Sequence, residues 1–121
     1  MLNSLVQFNM KDFIAETQYD KFDSPEWQFI EMLVNDLTDT VEGFVVLVNK
    51  NDTHDYIQTC VTHENFQHQG RYSIELRKKI MNNHFQYRFI TDDLSIIVKD
   101  FYQFYYGLPI DMDKYLDVNN E

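Results

Sequence analysis

The stretch RYSIELRKKIMNNHFQYRFI, residues 71–90, decides the fold. From Arg71 to Lys79, Tyr72, Ile74 and Leu76 alternate with Ser73, Glu75 and Arg77, so an extended segment carries one apolar face and one wet face. Asn82 and Asn83 supply a turn, and His84 to Ile90 repeats the pattern with Phe85, Tyr87 and Phe89 inward. Two such strands make a hairpin whose apolar side needs cover.

Upstream, Phe44 to Val48 (FVVLV) is rich in β-branched residues and apolar on both faces, which suggests a central strand. Asn49 to His54 is a polar turn cluster, Tyr56 to Val61 a further strand, and Thr62 to Gly70 a polar loop. Four strands in series with short polar links argue for an antiparallel meander. Helices flank it. Ser24, Pro25 and Glu26 form a start signal, followed by a stripe of Trp27, Ile30, Leu33, Val34 and Leu37. Thr91, Asp92 and Asp93 open a second helix with Leu94, Ile97, Val98, Phe101, Phe104 and Tyr105 on its stripe, stopped by Gly107 and Pro109. Leu2 to Phe8 reads equally as strand or helix. In the tail, Ile110, Met112, Tyr115 and Leu116 are candidates to pack back on the domain. The expectation is α+β: one domain over residues 1–121, with about four antiparallel strands and two main helices packed on one face.

Charge is the outstanding feature of composition: 20 acids against 10 Lys plus Arg give a net of −10 over 121 residues. A polyanion of this kind is a poor direct ligand for nucleic acid. Residues 1–55 hold 11 acids and 3 bases, residues 56–90 hold 2 and 5, and residues 91–121 hold 7 and 2. The sheet segment is therefore mildly basic between acidic ends. Such an imbalance either keeps a monomer soluble or serves as a docking surface for a basic partner. Met1 to Phe13 lacks a basic stretch followed by a long apolar run, no window resembles a membrane span, and the one cysteine, Cys60, cannot pair internally. A soluble protein of the reducing cytoplasm, away from membranes, is expected.

Catalytic chemistry finds little support. Cys60, His63 and His68 have a C-x2-H-x4-H spacing, with His54 and Glu64 near, but a structural zinc site normally shows two matched ligand pairs. No metal and no cofactor is expected. Phosphate-loop, dinucleotide, nucleophile-elbow and metalloprotease motifs do not occur, and Cys60 has no glycine neighbour to build an oxyanion hole. A small enzyme stays an alternative, favoured by a deep pocket lined by Glu75, Arg77 and His84 on the wet face. A regulatory or assembly module is another, favoured if the aromatic second helix forms a dimer interface.

Aromatic residues make up 16% of the chain, so most must be core, yet Tyr19, Phe22, Phe66, Tyr102 and Tyr106 fall in loops or off the stripes. Rigid rings beside carboxylates suit a protein-binding surface. In Asp55 to Cys60 (DYIQTC), Gly70 to Arg77 (GRYSIELR), Phe85 to Ile90 (FQYRFI) and Asp100 to Gly107 (DFYQFYYG), the chain resembles the small immunity proteins of bacterial toxin–immunity pairs, including those of contact-dependent growth inhibition. The resemblance implies binding without catalysis: a bacterial cytoplasmic protein that occludes the active site of a cognate toxin, often a basic nuclease. Toxin-contacting positions vary between such relatives, so no interface residue is carried over. From the residues themselves, Asp20, Asp23, Asp52, Asp55 and Glu64, in expected loops, are the candidate partner-binding carboxylates, with Tyr19 and Phe22 as anchors.

Overall fold

The computed structural model describes residues 12–37, 43–62 and 69–119. The readings that fall on Leu2 to Phe8, Val41, His63, Glu64, Phe66 and His68 lie outside these residues. In chain order the elements are β1 (Phe13–Thr17), β2 (Lys21–Asp23), α1 (Trp27–Asn35), β3 (Phe44–Asn49), β4 (Asp52–Val61), β5 (Tyr72–Ile80), β6 (Asn83–Thr91), α2 (Leu94–Tyr106) and β7 (Leu116–Asp117). The strands form one sheet in the order β2-β1-β3-β4-β5-β6-β7, antiparallel throughout.

The alternation of residues 71–90 is realised in the β5–β6 register, where Ile74 faces Phe89 and Leu76 faces Tyr87. Carried across the sheet, the same pleat aligns Ala15, Leu47, Ile57, Leu76 and Tyr87 in one row, and Thr17, Val45, Thr59, Ile74 and Phe89 in the next. This face meets Ile30 and Val34 of α1 and Ile97, Phe101 and Phe104 of α2 in a single core. Each fully buried aliphatic side chain contributes about 1.5–3 kcal/mol of transfer free energy. Thr59, the polar intruder in the core row, donates its hydroxyl to the Ser73 carbonyl at 2.9 Å, so no polar group is stranded there. Rings lock α2 to the first strand: Phe13 stacks on Tyr105 at 5.4 Å and meets Phe104 at 5.5 Å.

Among the described residues the sheet has seven strands, not about four. The additional ones are short, and their signal is correspondingly weak. β1 shows only Phe13 and Ala15 inward, β2 only Phe22, and β7 carries an exposed Leu116. Asp23, Asp52 and Asp55, expected in loops, belong to strands, Asp23 ending β2, Asp52 opening β4 and Asp55 lying three residues further into it, because β2 and β4 extend beyond their apolar residues. The start of α1 also differs. Ser24 is not its cap; it sits in a left-handed conformation (φ 49°) with its N–H on the Phe13 carbonyl and its hydroxyl accepting from Lys50. The backbone at Ser24 thus still belongs to the β1–β2 hairpin, and the helix begins at Trp27 behind an uncapped Glu26. The second helix follows its sequence signals: Asp93 accepts from the Ser95 N–H at 2.9 Å, and Gly107 closes the helix in the left-handed region (φ 69°).

The β5–β6 turn consists of Met81 and Asn82, one residue earlier than the two asparagines suggest, with φ of 50° and 72°. Positive φ at both central residues is the type I′ geometry, for which Asn-Gly is the favoured pair. Met81 is 90% exposed, so its side chain contributes no packing against the left-handed cost. The double change Met81→Asn with Asn82→Gly is expected to raise stability by about 1 kcal/mol in urea unfolding. Gly70→Ala should act in the opposite direction by about 1–3 kcal/mol, since an added Cβ would meet the Thr91 backbone at 2.8–3.0 Å.

Candidate functional site

The acidic candidates separate into two groups at opposite ends of the strands. Tyr19 and Asp20 occupy the β1–β2 turn, where the Thr17 hydroxyl accepts from both their N–H groups (3.2 and 3.3 Å) and Thr17 N–H donates to the Asp20 carbonyl. This fixed turn holds the Tyr19 ring 87% exposed beside the Asp20 carboxylate, which accepts from Lys21 N–H. Asp23, Asp52 and Asp55 lie at the other end, near the β3–β4 turn. Asp23 pairs with Lys50, whose hydrogen bond and charge hold its carboxyl below the usual carboxylate range. Asp52 accepts from His54 N–H at 3.0 Å, and Asp55 accepts from the Asn49 amide at 3.0 Å. Four residues of extended strand separate the two ends, about 15 Å with the turns included. Phe22 is on the covered face: it pairs with Ala15 and its ring meets Phe29 edge-on at 4.7 Å. Glu64 lies outside the described residues.

The wet face of the sheet holds a polar network that the register assembles. Arg77 pairs with Gln86 and Glu75 with Arg88. The Gln86 amide accepts from Arg77 Nη1 at 3.1 Å and donates to Glu75 Oε2 at 2.8 Å, while Arg88 Nε meets Glu75 Oε1 at 3.4 Å. Tyr56, in the same row from β4, bonds Gln86 as well. An open groove of about 760 Å³ lies beside this network, walled by Arg77, His84, Phe85, Arg88, Val118 and Asn119. Glu75, expected with Arg77 and His84 in a pocket, faces the network and does not line the groove. The His84 ring meets His54 at 4.6 Å, tilted by 43°. Gln86 and Arg88 were within reach of the period-2 reading, which puts them on the wet face, but their partnership with Glu75 needs the register.

Cys60 stands on the wet face with its sulfur 3.1 Å from the Ser73 hydroxyl. Its proposed zinc companions His63 and His68 lie outside the described residues, among which no group of three His, Cys, Asp or Glu is placed to hold a metal ion. Tyr102 and Tyr106, off the stripe of α2, are about half exposed and rest on Trp27 and on each other.

One buried carboxylate escaped the sequence reading. Asp100 is 1% exposed on α2, ion-paired to Lys114 at 3.0 Å and accepting from the Tyr115 hydroxyl at 2.7 Å. Its signal was present, since Asp100 interrupts the stripe of Ile97, Phe101 and Phe104 at helical spacing. The pair ties the segment after α2 to the helix and leads it to β7, whose following residues Val118 and Asn119 form a wall of the groove. Val118 N–H donates to the Gln86 carbonyl and Gln86 N–H to the Asn119 side chain, at 3.0 and 2.7 Å.

Comparison of the chain with protein-family models, curated proteins and solved structures finds no match in any of the three.

Burial, then the Asp100 charge, push the Tyr115 phenol far above its ordinary range, and burial raises Tyr105 as well. Both groups are therefore neutral in the fold, and their contribution is complete below the unfolded pKa near 10 and lost as pH rises above it. Tyr115→Phe is expected to lower stability at pH 7 by about 1.5–3 kcal/mol, as Asp100 loses a donor. It should also flatten the decline above pH 10, a comparison made by urea unfolding at pH 7 and pH 10.5.

Proposed function

We propose that the chain is a non-catalytic binding protein that neutralises a cognate basic protein toxin of a bacterial toxin–immunity pair, a nuclease being the type expected, by lying over its active site. The observation that carries this reading is the Tyr19–Asp20 turn. There three short-range hydrogen bonds fix the backbone that presents a ring almost wholly in solvent and a neighbouring carboxylate, so little loop entropy is left to lose on binding. Aromatic anchors beside charged groups are the usual centre of protein interfaces.

Charge supports the same reading. A nuclease holds phosphates with Lys and Arg, and carboxylates presented in that geometry satisfy the same donors. At the other end of the sheet Asp52 and Asp55 add negative charge, whereas Asp23 is partly neutralised by Lys50. The Tyr19–Asp20 turn is therefore the preferred contact, with Asp52 and Asp55 as its flank. On this reading the compartment is the bacterial cytoplasm, where such a toxin acts.

The test is neutralisation of the toxin encoded beside this chain. Co-expression should rescue growth, and purified partners should associate more slowly as salt rises from 50 to 300 mM. The pair Tyr19→Ala with Asp20→Asn should weaken binding at least tenfold, about 1.4 kcal/mol, without a change in melting temperature. An affinity unmoved by that pair and by Asp52→Asn with Asp55→Asn would remove the acidic-docking reading.

A further inference from the structure

We propose that His54 and His84 form a two-histidine chelate on the wet face of the sheet, which takes a divalent late-transition cation of the nickel, copper and zinc class. The two residues come from strands that do not pair with each other. His84 of β6 stands opposite Lys79 of β5, and His54 lies on β4 two residues before Tyr56, whose partner is Arg77. The row after Tyr56, Arg77 and Gln86 is therefore His54, Lys79 and His84, and the pleat puts all three side chains on the wet face. With β5 between them, the backbones of β4 and β6 are about 9.5 Å apart. The two rings nevertheless lean over β5 and meet at 4.6 Å between centroids, tilted by 43°. His54 is exposed and His84 only partly buried. Among the described residues neither ring makes a hydrogen bond; the bond from His54 to the Asp52 carboxylate, at 3.0 Å, is donated by the backbone N–H. A neutral imidazole keeps one nitrogen with a free lone pair, which is the donor that metals take.

Ring spacing selects the ligand. A metal–imidazole bond is about 2.0 Å and the ring nitrogen lies about 1.1 Å from its centroid, so a bound ion sits about 3.1 Å from each centroid. Two imidazoles at about 90° around the ion then have centroids about 4.5 Å apart, and at the tetrahedral angle about 5.1 Å. The observed 4.6 Å matches the cis arrangement of tetragonal and octahedral ions, so rotation of the side chains suffices to aim one nitrogen of each ring at a shared point. That is the geometry of Ni²⁺ and Cu²⁺, and Zn²⁺ enters with a slightly wider ring separation. Hard cations such as Mg²⁺ want oxygen donors and are not served by two imidazoles. The nearest charges oppose each other: Lys79 disfavours a cation, and Asp52, held beside the His54 backbone, favours it. Lys79 is exposed, so its stem carries the ammonium out into water. Among the described residues no third His, Cys, Asp or Glu completes the set, which leaves the other coordination positions to water or to a donor from a partner.

The probe is Ni²⁺, titrated as its chloride into the intact, untagged chain by isothermal titration calorimetry in a buffer that does not bind metal. One ion should bind per chain. His54→Gln and His84→Gln should each weaken binding at least tenfold, because a single imidazole loses the chelate. The ion joins β4 to β6 only in the folded state, so it should also raise the melting temperature, and either substitution should abolish that rise. Mg²⁺ at the same concentration should do neither. The chain has four histidines, and the pair His63→Gln with His68→Gln should leave both readouts unchanged. Circular dichroism checks that each variant is folded, and if one of the two single variants is not, the other decides alone. Absence of one-to-one binding below about 1 mM Ni²⁺, an affinity unmoved in a folded single variant, or a loss that follows His63 and His68 instead would each overturn the proposal. One Ni²⁺ per two chains would also overturn it, by making the ion a bridge between copies. No toxin enters the titration, and the Tyr19→Ala, Asp20→Asn pair should leave Ni²⁺ binding unchanged, so this proposal and the toxin reading fail separately.

Discussion

The row Ala15, Leu47, Ile57, Leu76 and Tyr87 crosses five strands, and the rest of the structure depends on its register. Because the pleat has a period of two, a slip of one residue in any strand would exchange its apolar set for its polar one. In β5 that would put Ser73, Glu75 and Arg77 beneath the helices. The cost of burying a charged pair without compensation far exceeds any gain from alternative pairing. The core therefore fixes the register, and the register in turn assembles the wet-face network, whose members come from three strands.

A long antiparallel sheet also has to end. At one edge β2 is three residues long, with Lys21 and Asp23 exposed; at the other β7 is two. Short charged edge strands are poor templates for pairing with another chain. Ending the sheet at β7 requires the segment after α2 to come back across it, which is the work of Asp100. The buried ion pair with Lys114 is poor evidence for stability in itself, since desolvation offsets much of the attraction. Its value is positional: a carboxylate with two donors from one segment fixes where that segment lies, and with it the Val118–Asn119 wall.

Where periodicity is long enough to repeat, the fold was legible in the sequence. β5, β6, the core of β3 and β4, the stripes of both helices and the caps at Asp93 and Gly107 all follow from local patterns. β1, β2 and β7 did not, because strands of two to five residues carry one or two inward positions and owe their pairing to neighbours distant in sequence. Ser24 shows the same limit at one residue: its propensity is that of a helix cap, but its hydroxyl is taken by Lys50 from another hairpin. Of the candidate site, the exposure of Tyr19 and Asp20 was legible from turn composition. The inward turn of Phe22 and the Lys50 partner of Asp23 were not, because both depend on tertiary pairing.

Net charge and local charge answer different questions here. The screening length at physiological salt is about 8 Å, so a partner at a distance senses little of the total −10, while one within contact senses only the groups nearest to it. Near the Tyr19–Asp20 turn those groups are the Asp20 carboxylate with Lys21 next to it; among the described residues, the ionisable groups that wall the groove are Arg77, His84 and Arg88. The two patches lie on different strands of one rigid sheet, so their separation is set by strand geometry and does not depend on a flexible linker. A partner that engages both must present opposite charges at a matching spacing. That requirement restricts the orientation of docking more than either patch alone, because a single-sign surface tolerates rotation about the contact and a two-sign surface does not.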